Sequence, residues 1–525
     1  MHWIIRTQYC LRLMAFALFF TGVQAADFDK PPSANHGFVL ATLPGSEPID
    51  ALVLRSVADN TDYPLAKIPN REGKTFGLWL PAGEYKIQKW RDSYLKEYPT
   101  LSVTPGQLTD MGSLVPVPVG DGQLVLLPLR NDETQSKAQA TVAELQTALQ
   151  SKDVRPWVVD RVPPAIADFV DADPANRFGL IGALLMYYEG RANASPISKQ
   201  LRATAGVDAF LALAKTATPP LTQKLVVDAK GRSYFGAALG QIRVRDATGV
   251  WGALDTGSLH NVTAVAAWED ILLAGLENGV VRMSTDGGSS WKPVAALDRG
   301  VAITDISRIG DQWLVTAARG VVVRNLFRSV DQLGIYVARA ADLSDIAKQR
   351  ELAVEVEPLL RPSAVAYKNF YFVNAYPKLW RLDTSTMQWS AVGPDTDVHG
   401  FQVTPGNGTL AAYRIKGGFS KLFVSTDLAQ SWTKYDNPPY VIMDIRFTNA
   451  QDGQAVRWNA GAFSGVIELL QYDRAKDAWS KFAEAPAGCK AMLPDVSNIA
   501  KLCVTRGGNI LNFADSKWLA EFAVD

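Results

Sequence analysis

Beyond residue 220 of this 525-residue chain, tryptophan recurs in one setting, just after a short polar turn. DATGVW ends at Trp251, STDGGSSW at Trp291, DTSTMQW at Trp389, STDLAQSW at Trp432, DRAKDAW at Trp479 and ADSKW at Trp518; one further position, near VDQLGIY, is filled by Tyr336. Successive spacings are 40, 45, 53, 43, 47 and 39 residues, close to the length of a four-stranded blade. The longest interval reads as an insertion at about 338–362, rich in charge and helix formers. Between the turns lie short apolar runs such as VTAVAAW, ILLAGLE, AITDISRI and QWLVTAA, about four to an interval. A single four-stranded sheet cannot bury both of its faces, whereas a radial array covers them and leaves only short edges. Seven turns therefore predict a seven-bladed β-propeller over 220–525, in a chain that is mainly β.

The best-formed turn is Ser284 to Trp291. Asp286 can accept from backbone N–H groups of its own turn, Ser284 can add a second bond, and Gly288 permits a positive φ. Trp291 is placed to pack between neighbouring sheets. Ser425, Asp427 and Trp432 repeat the pattern, with Ala429 in the glycine position. The spacing Ser-x-Asp-x-Gly-x-x-Trp resembles the Asp-box, and the region resembles the Asp-box propellers: sialidases, sortilin-type receptors and photosystem II stability and assembly factors. That resemblance implies a structural role for these residues, on an outer rim away from the central face. One carboxylate per turn is a poor calcium site.

The chain opens with Arg6 and Arg12 ahead of an apolar run, Leu13 to Phe20, and small residues at Val23 and Ala25. This is the layout of a secretory signal peptide over 1–25, cleaved after Ala25, which places the mature chain in the periplasm or outside the cell. Cys10 precedes the apolar run and is not placed as a lipoprotein cysteine. No later segment approaches the roughly 20 apolar residues of a membrane helix. Removing 1–25 takes two arginines from 53 Lys+Arg and nothing from 53 Asp+Glu, leaving about −2. A near-neutral surface offers no basic field to nucleic acid. The two remaining cysteines, Cys489 and Cys503, lie symmetrically about Val496, so a hairpin with that midpoint would bring them opposite each other as a disulfide.

Residues 35–130 read as short strands between Gly and Pro turns, predicting a small β-sandwich. LPAGEYKI, Leu80 to Ile87, followed by LSVTPGQLTDMGSL, resembles the carboxypeptidase-regulatory-like and PEGA-like modules. In that family the module is an attachment or spacer unit without catalytic residues. From 131 to 219 the period changes to near 3.6, predicting a helical linker domain. Ala138, Val142, Leu145 and Leu149 share one face of a first helix; Asp173-Pro174 and Ser195-Pro196 begin two more. The cluster Met186, Tyr187 and Tyr188 reads as core or inter-domain packing.

A sialidase requires an arginine cluster for its substrate's carboxylate and a tyrosine nucleophile supported by an acid. Arg243, Arg245, Arg282, Arg319, Arg324, Arg381 and Arg414 alternate along strands, as arginines on solvated faces do, and RVP at Arg161 is only an echo of the sialidase Arg-Ile-Pro element. His36, His260 and His399 are far apart, without metal-ligand spacing. The sequence thus predicts no catalytic, metal or cofactor residues. It reads as an exported, non-catalytic scaffold that binds a protein or glycan of the bacterial envelope, with a sialidase-like glycoside hydrolase as the alternative.

Overall fold

The computed structural model describes residues 28–523, apart from 45–51, 69–73, 91–92, 96, 121–122, 168–195, 219, 223–224, 324–325, 356–362, 405–406, 417–418, 437, 441, 450, 461–464, 487–488, 494–500 and 506–507. The signal-peptide segment, Cys10, the helix expected after Asp173 and the Met186–Tyr188 cluster lie outside the described residues. The chain divides into two units, 1–42 with 51–113 and 132–158, and 43–50 with 114–131 and 159–525.

In the first unit one sheet joins Leu52–Ser56 to Asp62–Pro64 and Gly83–Trp90, with Ser93–Tyr94 and Thr100–Val103 on the latter. The other joins His36–Leu43, Lys74–Pro81 and Ala66–Lys67 to the start of Leu108–Gly120, along which Val154–Pro156 also runs parallel. Helix α1, Asp132–Glu144, follows. Ala138, Val142, Leu145 and Leu149 pack on Phe38, Leu40, Trp79 and Leu108, so the apolar stripe read from the sequence is the buried one.

The second unit contains helices α2, Pro196–Ala203, and α3, Val207–Thr216. The sequence suggested one helix here; Gly206, extended at φ −80° and ψ 131°, breaks it. Ile197, Leu201, Phe210 and Ala214 pack on Val115, Val117, Val125 and Leu127.

Seven four-stranded antiparallel sheets then follow in chain order, each from one continuous stretch, and they form a seven-bladed β-propeller. Blade 1 covers 226–255, blade 2 262–296, blade 3 301–353, blade 4 364–391, blade 5 400–435, blade 6 442–484 and blade 7 489–522. Every neighbouring pair shares an apolar cluster, and the ring closes where Phe235 and Trp251 of blade 1 meet Leu493, Leu502, Val504 and Ile510 of blade 7. Among the described residues no strand is exchanged at the closure.

The insertion expected at 338–362 resolves differently. Ala347–Ala353 is the outer strand of blade 3, and Tyr336 lies within the third strand, Leu326–Ala338. Ile346, immediately before the outer strand and packed between blades 2 and 3, takes the place assigned to Tyr336. Blade 3 owes its length to its middle strands, Gln312–Val323 and Leu326–Ala338, of 12 and 13 residues.

The disulfide joins Cys489 and Cys503, with Cα atoms 5.7 Å apart, on the two innermost strands of blade 7. The cysteines are not register partners. Cys489 faces Thr505 and Met492 faces Cys503, because the strands pair about a point at least one residue past Val496.

Candidate functional site

In blades 1, 2, 4, 5 and 6 the turn before the outer strand is organised by its acid. The Ser284 hydroxyl donates to Asp286 at 2.7 Å and accepts from the Gly288 amide at 2.8 Å. Asp286 also accepts from the Ser290 amide at 2.9 Å and hydroxyl at 2.6 Å. The Ser290 hydroxyl, then its amide and the Ser284 hydroxyl, hold the Asp286 carboxyl well below the usual carboxylate range. Ser425 and Asp427 repeat these bonds with Ser431. Burial pushes Asp427 up, and its hydrogen bonds outweigh that to leave it low. Ala429 stands at φ +66°, doing without glycine what Gly288 does at φ +97°. Asp246, Asp383 and Asp473 accept from their own turns in the same manner. These carboxylates are spent on backbone and hydroxyl donors within each turn.

In blades 4, 5 and 7 the tryptophan after the turn donates to the preceding blade. Trp432 Nε1 donates to the Val392 carbonyl at 2.7 Å, Trp389 to Gln349 at 2.8 Å and Trp518 to the Glu484 carbonyl at 2.8 Å. Trp251 donates across the closure to Glu521 at 3.0 Å. Trp291 donates instead to the Gly288 carbonyl of its own turn, at 3.0 Å, while its ring packs between blades 1 and 2.

At the opposite end, where the inner strands begin, hydroxyls stitch neighbouring blades. Thr263 donates to the Ile303 carbonyl at 2.6 Å; where the inner strands finish, Thr404 donates to the Phe447 carbonyl. Thr222, Thr263, Thr304, Asp305 and Ser363 line, together with Val226, Ala264, Val265 and Ala364, a cavity of about 30 Å³. That space suits about one ordered water and no organic substrate.

Beside it lies an acid–tyrosine pair. Tyr371 donates to Asp305 at 2.9 Å and lies 2.7 Å from the Thr316 hydroxyl, while Ser307 donates to Asp305 at 2.7 Å. Tyr371 is 0 % exposed, and burial, with the Asp305 charge beside it, drives its phenol far above the ordinary value. This tyrosine is a packed strut that a substrate could not touch.

The arginines named from the sequence are dispersed. Arg243 donates to the Thr216 carbonyl and stacks 4.4 Å from the Phe522 ring centroid. Arg245 pairs with Glu521, Arg319 with Asp331 and Arg414 with Asp397. Arg282 donates to the Trp291 carbonyl and Arg381 to the Leu428 carbonyl. Arg324 lies outside the described residues. Arg161 forms an isolated bridge with Gly206.

His36 sits 2.9 Å from the Ser33 hydroxyl, and the His399 ring stacks edge-on against Tyr376. His260 lies 3.9 Å from Glu277, a buried carboxylate that accepts from the amide and side chain of Asn261. Sequence reasoning missed Glu277 because no local signal links it to residues 260 and 261. Among the described residues no group of three or more His, Cys, Asp or Glu is placed to hold a metal ion, and no helix is long and apolar enough to cross a membrane. What the end near residue 440 offers a ligand is loop surface, including Tyr440 at 61 % exposure and the Arg414–Asp397 pair.

No protein-family model and no curated protein matches the chain. Solved structures do resemble it. YCF48 bound to a D1 peptide matches with 14 % identity over 50 % of this chain and 83 % of its own, at a TM-score of 0.33. A chain of the mitotic checkpoint complex matches with 11 % identity over 58 % and 87 %, at 0.38. An oligogalacturonate lyase in complex with manganese matches with 10 % identity over 55 % and 84 %, at 0.39.

Proposed function

We propose that this chain is an exported, non-catalytic binding scaffold of the bacterial cell envelope, whose propeller recognises a protein or glycan partner through the loops at the inner-strand entry end. One observation carries the reading: each described arginine that an acidic-sugar hydrolase would need to converge is held by a different neighbour, while the buried acid–tyrosine pair faces no substrate space. Loop faces of this kind suit recognition, with exposed aromatics and arginines as anchors. On this reading the propeller is of the Asp-box type, the first unit is a carboxypeptidase-regulatory-like spacer, and no metal or cofactor takes part.

The test is a cross-linked pull-down of the tagged mature protein from its native envelope, read by mass spectrometry, beside Tyr440→Ala. A partner retained by wild type and lost in Y440A supports the scaffold. Turnover of a fluorogenic sialoside would replace it with the hydrolase. Export is tested by the N-terminal mass, which should begin at Ala26.

A further inference from the structure

The outermost strand of a blade has one paired edge and one open edge, and an open edge is a template for another strand. Blades 2, 3, 5, 6 and 7 guard theirs with exposed lysines: Lys292, Lys348, Lys434, Lys481 and Lys517. Blade 4 has none, but Gln349 accepts from its Trp389 and Arg350 stands 5.3 Å from that ring, both reaching over from blade 3. Blade 1 is different. Its outer strand, Trp251–Asp255, carries no charge before Asp255, and Gly252 and Ala253 are exposed. Val250 leads into it 64 % exposed. Among the described residues no strand pairs with its far edge.

We propose that this edge pairs with the same edge of a second copy of the chain across a twofold axis. Two copies of one strand meet antiparallel about such an axis, so the surface need only be complementary to itself. Centred on Ala253, the pairing sets Ala253 against its copy, Gly252 against Leu254 and Trp251 against Asp255. No like charges meet, and the glycine leaves room for the leucine. The same operation fails on three other blades. The central residues of the outer strands of blades 3, 5 and 6 are Arg350, Lys434 and Lys481, and each would face its own copy. Directly opposed like charges destabilise a strand pair. A formal net charge of about −2 on the mature chain, 51 Lys+Arg against 53 Asp+Glu, adds little long-range repulsion to the approach. The pairing is separate from the loop-borne binding proposed above.

Sedimentation velocity of the mature protein from about 1 to about 100 µM spans the range in which a small interface of this kind dissociates. The expected result is a reversible monomer–dimer equilibrium. Ala253→Lys, an exposed change, weakens it about tenfold or more by opposing two ammonium groups at the axis. Ser390→Lys in blade 4 leaves it unchanged, and circular dichroism confirms that both variants are folded. A monomer throughout the range overturns the proposal, as does a dimer indifferent to A253K or one weakened equally by S390K.

Discussion

Arg245 and Glu521 stand 276 residues apart and form a two-pronged ion pair, Nε to Oε2 at 2.9 Å and Nη2 to Oε1 at 2.8 Å. Asn512 adds a bond to Oε1 at 2.6 Å and Trp251 one to Oε2 at 3.0 Å, so this carboxylate takes four donors where blade 7 meets blade 1. A planar fork on a carboxylate fixes orientation as well as distance, which suits a junction that no shared strand aligns.

A double-mutant cycle with Arg245→Met and Glu521→Gln should therefore return a coupling of about 1–3 kcal/mol, measured by urea unfolding. A value near zero would mean that the apolar cluster closes the ring alone.

The same carboxylate sets an acid limit. Burial raises the Glu521 pKa, and the Arg245, Trp251 and Asn512 hydrogen bonds overcome this to leave it below its usual value. A depressed folded pKa gives stability that is complete above the unfolded value and is lost as pH falls through the folded one. Between pH 6 and pH 3 (about the carboxylate range), wild type should lose its advantage over Glu521→Gln. Parallel stability curves would remove Glu521 from the acid response.

Replacing Trp432 separates ring from hydrogen bond. Trp432→Phe keeps the apolar contact and loses the bond to the Val392 carbonyl, for about 1 kcal/mol. Trp432→Ala also loses the packing between blades 4 and 5 and should cost about 3 kcal/mol. Equal costs for the two would mean that the indole N–H does all the pinning.

Gly288→Ala tests whether the two acid turns are equivalent. At φ +97° a Cβ would lie 2.6 Å from Leu254 Cδ1, so strain and crowding should together cost about 2 kcal/mol in thermal unfolding. Ala429 makes the matching bond to Ser425 with its methyl accommodated between blades 4 and 5. A neutral G288A would show that the first turn has the same tolerance.

Breaking the disulfide with Cys503→Ser should cost about 3 kcal/mol, the value for a loop of this length. Wild type in reductant should fall to the same level. No change on reduction would assign the stability of blade 7 to packing.

Six tryptophan turns were legible because turn chemistry is local. An acid, a few small residues and an aromatic suffice to start an outer strand wherever they occur. Blade 3 escaped this reading because its turn, 339–346, ends in Ile346, while a tyrosine ten residues earlier imitated the signal. The cysteine register was misjudged for a related reason, since the point about which two strands pair can slide by a residue with no mark on composition. Partners such as Glu521 for Arg245 or Asp305 for Tyr371 were invisible because each belongs to another blade. Alternating arginines look alike whether they converge on a ligand or disperse, and only the third dimension separated the two.

Each blade is spun from an unbroken length of chain, and that fixes where the ring is weakest. Six of its joints are backed by the polypeptide itself, while among the described residues the seventh, between the first and last blades, is held by side chains alone. The propeller is thus a split washer rather than a cast ring. Its last blade could lift away without unthreading a single strand from its neighbours.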